Sequence, residues 1–293
     1  MRIALDATPL SVPTGGVRRY TEELAKALAL EFPEDRYHLI SDQPFSYSGE
    51  HPANLSVEPK LPRNAAERRW WLFGVQREMA QLDIDLFHGT DFSVPYLARR
   101  PTVMTVHDLS PWMATAWHHA ADRVRLRTPF LIRTGRASMI ITPSEAVRKQ
   151  VIGRFRVDPD RVVAIPEAAS SWMRPVETAT SPYFLYVGTL EPRKNIPDLI
   201  QAWRQVWKRH NVPLVLAGRR RRDFPALSPE PGLQILGEVP DADLPGLYSG
   251  AVAAIYPSLY EGFGLPVLEA MQCGANLVRA ALHGGYSALR SSG

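Results

Sequence analysis

Short apolar runs alternate with amphipathic stretches of helical period along nearly the whole chain, and few architectures satisfy such a pattern. RIALDA, YHLIS, DLFHG, TVMTVHDL, SMIITPS and VVAIP read as strands in the first half, and YFLYVGTL, VPLVLAG, LQILGEV, AVAAIYPS and ANLVRA in the second. Strands separated by helical stretches are the mark of parallel sheets with crossover helices. Between two of them, NIPDLIQAWRQVWKRH sets Ile196, Leu199, Ile200, Trp203, Val206 and Trp207 on one face, a stripe expected to lie on the second sheet. SSWMRPVETATSPY, rich in Pro, Ser and Thr, reads as a linker. The expected organisation is therefore residues 1–172, a linker over 173–182, and a second domain over 183–293. Two Rossmann-like domains facing each other put their strand carboxyl ends, where ligands bind, at one shared cleft.

Composition narrows the function. A chain of 293 residues with 45% apolar residues can bury a core in each of two domains. Its formal charge of +4 is carried mostly by arginine, which favours anionic ligands such as phosphates. The single cysteine, Cys273, allows no intrachain disulfide and no cysteine-rich metal site. Asp6 interrupts the apolar start, and no run is long enough to span a bilayer, so a cytoplasmic protein is expected. GRRRRD, residues 218–223, lacks an aromatic platform or a recognised binding module and reads as a solvated turn, with Arg219 a candidate diphosphate contact, so no nucleic-acid partner is expected. RNAAERRWWLFGVQREMAQL is basic and aromatic; it reads either as a packing helix of the first domain or as a helix lying peripherally on an anionic membrane.

Three turns carry candidate chemistry. In EGFGLPVLE, Gly262 and Gly264 allow close backbone approach, and Leu265-Pro266 opens a helix whose first N–H groups suit a phosphate. Glu261 precedes that turn, and Glu269 lies about one helical turn beyond it, placed to accept the hydrogens of a ribose diol. In YVGTLEPRKN, Arg193 and Lys194 stand just after a strand, where a helix dipole would prefer acids; a departing diphosphate gives two cations there a purpose. PTGGVRRY puts Gly15 and Gly16 ahead of a helix carrying Val17, Tyr20, Leu24 and Leu28, in neither a GxGxxG nor a P-loop pattern. His107 and Asp108 in TVMTVHDLSPW fall at a strand's carboxyl end; His88 in FHGTDF is an acceptor-side candidate, and His118 and His119 line a cleft or cover a loop.

PSLYEGFGLPVLEAMQCGANLV, with seven residues between its two glutamates, resembles the signature of retaining GT-B glycosyltransferases of family GT4. The likeness extends over DATPLSVPTGGVRRYTEELAKAL, FHGTDFSVP, TVHDLSPW and YVGTLEPRKNIPDLIQAW. It implies an α/β GT-B fold and transfer of a hexose from a nucleotide diphosphate sugar, GDP-mannose being the guess, to a saccharide or lipid-linked saccharide, with no cofactor and no essential metal. It also implies roles: His107, Arg193, Lys194 and Glu261 as catalytic; Gly15, Gly16, Gly188, Arg193, Lys194, Glu261, Gly262, Phe263, Gly264, Leu265 and Glu269 on the donor side; His88 and Asp108 on the acceptor side. Against that pattern the stretch after CGANLV, RAALHGGYSALRSSG, looks short by a few elements, so an incomplete second domain is expected. The alternative function is a catalytically impaired remnant that binds a nucleotide sugar or a partner protein without transfer.

Overall fold

A computed structural model describes the chain apart from residues 49, 58–61, 63, 115, 116, 118–120, 179, 180 and 280–293. It divides into two compact units. The first holds Met1–Trp112 and the chain on to Pro166, except for a short stretch around Trp117, which goes with the second; the second continues from Glu167. His118, His119 and the terminal stretch lie outside the described residues.

The first unit is built on a seven-stranded, all-parallel sheet ordered β3-β2-β1-β4-β5-β6-β7. The strands are β1 (Arg2–Asp6), β2 (Arg36–Ile40), β3 (Leu55–Ser56), β4 (Leu86–Gly89), β5 (Thr102–Thr105), β6 (Met139–Thr142) and β7 (Val162–Ala164). Helices α1 (Gly16–Glu31), α2 (Val75–Gln81), α3 (Ser110–Met113), α4 (Asp122–Arg133) and α5 (Glu145–Phe155) join them. The two-residue β3 was not anticipated: a strand that short has no period to read. In α1 the fully buried line is Arg18, Thr21, Ala25 and Ala29, one step round from the larger apolar residues. Small side chains bring the helix close to the sheet, and the Arg18 guanidinium is satisfied by the carbonyls of Leu10 (2.6 Å), Val12 (3.0 Å) and Ser46 (2.9 Å).

The basic aromatic stretch is helical only from Trp70 onward. Asn64 Oδ1 accepts the amides of Ala66 and Glu67 in a turn, a widened π-type turn follows over Trp70–Gly74, and α2 begins at Val75. A Cβ at Gly74 would sit 2.4 Å from the Glu67 carbonyl oxygen, so the widened turn depends on glycine. Trp70, Val75 and Met79 are buried in the core, as the packing-helix reading has it.

The second unit carries a five-stranded parallel sheet ordered β10-β9-β8-β11-β12. Its elements are β8 (Phe184–Val187), α6 (Ile196–His210), β9 (Leu214–Ala217), β10 (Leu233–Gly237), α7 (Leu244–Gly250), β11 (Ala253–Tyr256), α8 (Leu265–Gln272) and β12 (Leu277–Arg279). One face packs α6 on the sheet through Ile196, Leu199, Ile200 and Trp203, with Tyr186, Leu214 and Leu216 beneath. The other face gathers Leu185, Val215, Ala254, Tyr248, Ala270 and Met173; Met173, from the stretch read as linker, is wholly buried there. Gly188 and Gly218 end the neighbouring strands β8 and β9 so closely that a Cβ on Gly218 would come within 2.1 Å of the Gly188 carbonyl oxygen.

Trp203 fixes α6 doubly, by its buried ring and by Nε1 donating to the Val212 carbonyl at 2.9 Å. Replacing it with alanine removes both, and Trp203→Ala should cost about 3–5 kcal/mol in urea unfolding; a loss under about 1 kcal/mol would show that α6 is not held this way.

Candidate functional site

In an open parallel sheet, ligands bind where adjacent strands send their crossovers in opposite directions. In the second unit that point lies between β8 and β11: the chain leaves β8 through α6 to β9, and leaves β11 through α8 to β12. The loops diverging there, Gly188–Asn195 and Pro257–Gly264, supply Arg193, Lys194 and Glu261. Pro192–Lys194 forms a single 3-10 turn closed by Asn195 in the left-handed region (φ 56°), which frees α6 to start in a new direction at Ile196. A backbone bond from Leu259 N to the Arg193 carbonyl (2.8 Å) ties the two loops together.

Arg193 Nη1 donates to the Tyr260 carbonyl (3.0 Å) and to Glu261 Oε2 (2.9 Å), while Lys194 Nζ takes Glu261 Oε1. Both oxygens of Glu261 are thus held by cations, and the side chain is 8% exposed. Burial alone would raise its pKa, but Lys194 and then Arg193 override that and bring it down to about 2. Burial lowers the Lys194 pKa, opposed chiefly by Glu261. The Lys194 ammonium also stands 5.5 Å from the centroid of the Tyr256 ring, and that ring lies 3.8 Å from where a Cβ on Gly264 would be, so the cation and the glycine turn share one wall.

Gly264 has φ 102°, and no side chain caps the start of α8 behind it. This is the backbone arrangement that suits an anion. Glu269, one turn on, is buried and accepts a hydrogen bond from the Tyr248 hydroxyl (3.0 Å).

Several members of the cluster escaped the sequence reading. Glu191 lies between two guanidiniums, Arg193 Nε at 2.8 Å and Arg221 Nη1 at 2.8 Å. Arg221 also pairs with Asp223 and donates to the Trp117 carbonyl, and the Trp117 ring stacks on Tyr260 with centroids 6.2 Å apart. Within the arginine run it is therefore Arg221, not Arg219, that joins the cluster; Arg219 is exposed. The signal available was the acid in LEPRKN, whose only short-range partners in sequence are basic.

The first unit has its own switch point, between β1 and β4. Gly15, at φ 136°, and Gly16 open α1 there, with nothing within 4 Å of a Cβ built on either. His88 ends β4 buried, sharing a 2.8 Å hydrogen bond between Nε2 and Thr105 Oγ1; burial, and then His107, lower its pKa to about 4, so it is neutral at physiological pH. Tyr20 reaches the same Thr105 hydroxyl at 2.9 Å and packs edge-on to His107 at 4.8 Å. His107 donates from Nε2 to the Thr90 carbonyl (2.8 Å). Asp108 Oδ1 accepts the amide and hydroxyl of Ser110 (2.8 and 2.7 Å), which anchors α3. Asp6, at the end of β1, is another group the sequence reading did not single out: burial raises its pKa to about 7, against the bonds from Thr8. Among the described residues no group of three or more His, Cys, Asp or Glu is placed to hold a metal ion.

Two Rossmann-like units in tandem, the second with an anion-suited switch point, define the GT-B class of glycosyltransferases. Residues 14–169 match the model described as Glycosyltransferase Family 4, and residues 172–291 the one described as Glycosyl transferases group 1. The chain belongs to glycosyltransferase family 4. It is 33% identical to the O-antigen chain mannosyltransferase B of Escherichia coli, over 95% of this chain and 82% of that protein. To the O-antigen chain mannosyltransferase RfbU of Salmonella typhimurium it is 28% identical, over 62% of this chain but only 52% of that one. Among solved structures, sucrose-phosphate synthase of Thermosynechococcus elongatus matches with TM-score 0.69 at 19% identity, covering 96% of this chain and 81% of that one. HepE of Anabaena, solved with UDP and glucose, matches with the same score and identity, covering 97% and 82%. These structural likenesses bear on the fold.

Two buried acids give opposite pH slopes. Glu261, with its folded pKa depressed from 4.5 to about 2, adds stability that is full above the unfolded value and is lost as pH falls toward 2. Asp6, raised from 3.8 to about 7, favours folding most below the unfolded value and loses that advantage as pH climbs through 7. Urea titrations across pH should show Glu261→Gln destabilised by about 3 kcal/mol at pH 6, with a flatter acid limb, and Asp6→Asn with a flatter decline between about pH 4 and 7. Curves parallel to the parent protein's at every pH would contradict the assignments.

Proposed function

We propose that this glycosyltransferase moves a hexose, mannose by analogy with its named relatives, from a nucleoside diphosphate sugar to a saccharide or lipid-linked saccharide. GDP is the proposed carrier, the second unit takes the donor, and the first takes the acceptor. The observation that carries the reading is the Arg193–Glu261–Lys194 cluster beside the uncapped start of α8.

As the bond between anomeric carbon and phosphate oxygen lengthens, negative charge collects on the leaving diphosphate. Fixed cations and helix amides lower the energy of that state more than that of the bound donor, because the charge is larger there. Lys194 has three N–H donors and commits one to Glu261, which aims the ammonium without exhausting it. Glu269, which accepts the Tyr248 hydroxyl, is the proposed ribose contact, and the amides around Gly262, Phe263, Gly264 and Leu265 are proposed for the phosphates, with Gly188 at the end of β8 leaving room beside them. His107 is proposed to contact the transferred sugar. The acceptor hydroxyl attacks from the face the leaving group vacates, its proton passing to the departing phosphate, so configuration is retained without a metal in the step.

Arg193→Ala and Lys194→Ala should each lower kcat by about 100-fold or more with a smaller change in KM, as expected for a contact that strengthens in the transition state. Isothermal titration with GDP, UDP and ADP should single out GDP. Equal binding of all three would remove the donor assignment, and kcat unchanged in both variants would remove the leaving-group role.

A further inference from the structure

Trp117 stands in the chain between α3 and α4, yet it groups with the second unit. Two contacts hold it there. Its indole stacks on the Tyr260 ring, with centroids 6.2 Å apart and planes 20° from parallel, and its carbonyl accepts a hydrogen bond from Arg221 Nη2.

These contacts close a circuit around Arg193. Arg221 Nη1 reaches Glu191 Oε2 at 2.8 Å, Glu191 Oε1 meets Arg193 Nε at 2.8 Å, and Arg193 Nη1 donates at 3.0 Å to the carbonyl of Tyr260, the residue on whose ring Trp117 lies. Trp117 and Arg221 thus bear on Arg193 by two routes, one through Tyr260 and one through Glu191. A guanidinium is planar, so fixing Nε and Nη1 together sets the direction of the whole group. Arg221 suits its place because one fork serves three acceptors, Glu191, Asp223 and the Trp117 carbonyl, which the compact ammonium of a lysine does not match. Glu191 is 8% exposed; left with one cation instead of two, that carboxylate would draw Arg193 toward itself and away from Glu261.

We propose that Arg221 and Trp117 are positioning residues for the reaction, acting through Glu191 and Tyr260 to hold Arg193 where charge gathers on the leaving diphosphate. The proposal rests on the leaving-group reading of Arg193 and adds to it two residues that stand 104 positions apart in the sequence.

The first probe is inorganic pyrophosphate alone, titrated calorimetrically into the full chain, because it resembles the departed leaving group and needs neither base nor acceptor. Arg193→Ala should weaken its binding about tenfold. Arg221→Gln and Trp117→Ala should each weaken it about threefold, and Trp117→Phe, which keeps a ring on Tyr260, by less than about twofold. The second readout is release of GDP from GDP-mannose without acceptor, where Arg221→Gln should lower kcat about tenfold with a smaller change in KM. Arg221→Lys should restore neither quantity, and it carries the test should circular dichroism show Arg221→Gln unfolded. With Arg193 already alanine, Arg221→Gln should change affinity and kcat by less than about twofold, because its route to the ligand is gone; a general loosening of the fold would multiply the two losses. Arg204→Gln breaks an exposed, two-pronged pair with Glu230 and should match the parent protein. Multiplied losses overturn the positioning role, as do Arg221 and Trp117 variants that bind and turn over like the parent while Arg193→Ala is impaired; either result leaves Arg193 its own role. An Arg193→Ala protein equal to the parent in both readouts removes the leaving-group reading and the positioning role with it, as does a parent protein that binds no pyrophosphate.

Discussion

The second unit depends on the burial of one carboxylate between two cations. Glu261 is taken out of water with Lys194 and Arg193, and the loss of hydration costs several kcal/mol per charge unless each is met at short range. Here each is met: two cations on two oxygens, and the Arg193 guanidinium shared further with the Tyr260 carbonyl and Glu191. An arrangement of this kind has little tolerance, since removing any member leaves its partner buried and uncompensated. The loops after β8 and β11 are therefore fixed relative to each other by charge as well as by the Leu259–Arg193 backbone bond.

Why the cluster sits there follows from the sheet. Strand order places β8 beside β11 while their crossovers diverge, the arrangement that leaves a gap between the diverging loops at the carboxyl ends of an open sheet. Gly188 and Gly218, in backbone conformations that favour glycine (φ 149° and 140°), let the strand ends next to that gap pass at contact distance. The polar residues gather there because both faces of the inner strands are committed to apolar packing.

Much of this was legible in the sequence, and the exceptions are physical. The eleven strands read from apolar runs are each present; in inner strands such as β9 burial leaves a continuous apolar signal, and β10 and β12 carry the same kind of run although largely exposed. The α6 stripe was equally plain, while β3, held by two register pairs, left none. In α1 the larger apolar side chains drew attention from the small ones that make the closest contact. At the site, Arg193, Lys194 and Glu261 stood out because charge in a glycine-rich turn after a strand is unusual. Arg221 did not: one arginine in a run of four is singled out only by its partners, and those come from Glu191, Asp223 and the Trp117 carbonyl, up to 104 residues away.

The electrostatic state of Glu261 also bears on the chemistry. A double displacement needs a carboxylate with an accessible lone pair and appreciable basicity near the anomeric carbon. Glu261 has neither: both oxygens are engaged, and a pKa of about 2 makes it a weak nucleophile. What such a group does well is hold cations at fixed positions, so that they need not reorganise as charge develops on a leaving group. In the fold Glu261 is the anchor of the two cations beside the glycine turn. The stereochemical work in the proposed reaction then falls to the geometry between leaving phosphate and acceptor rather than to a covalent intermediate.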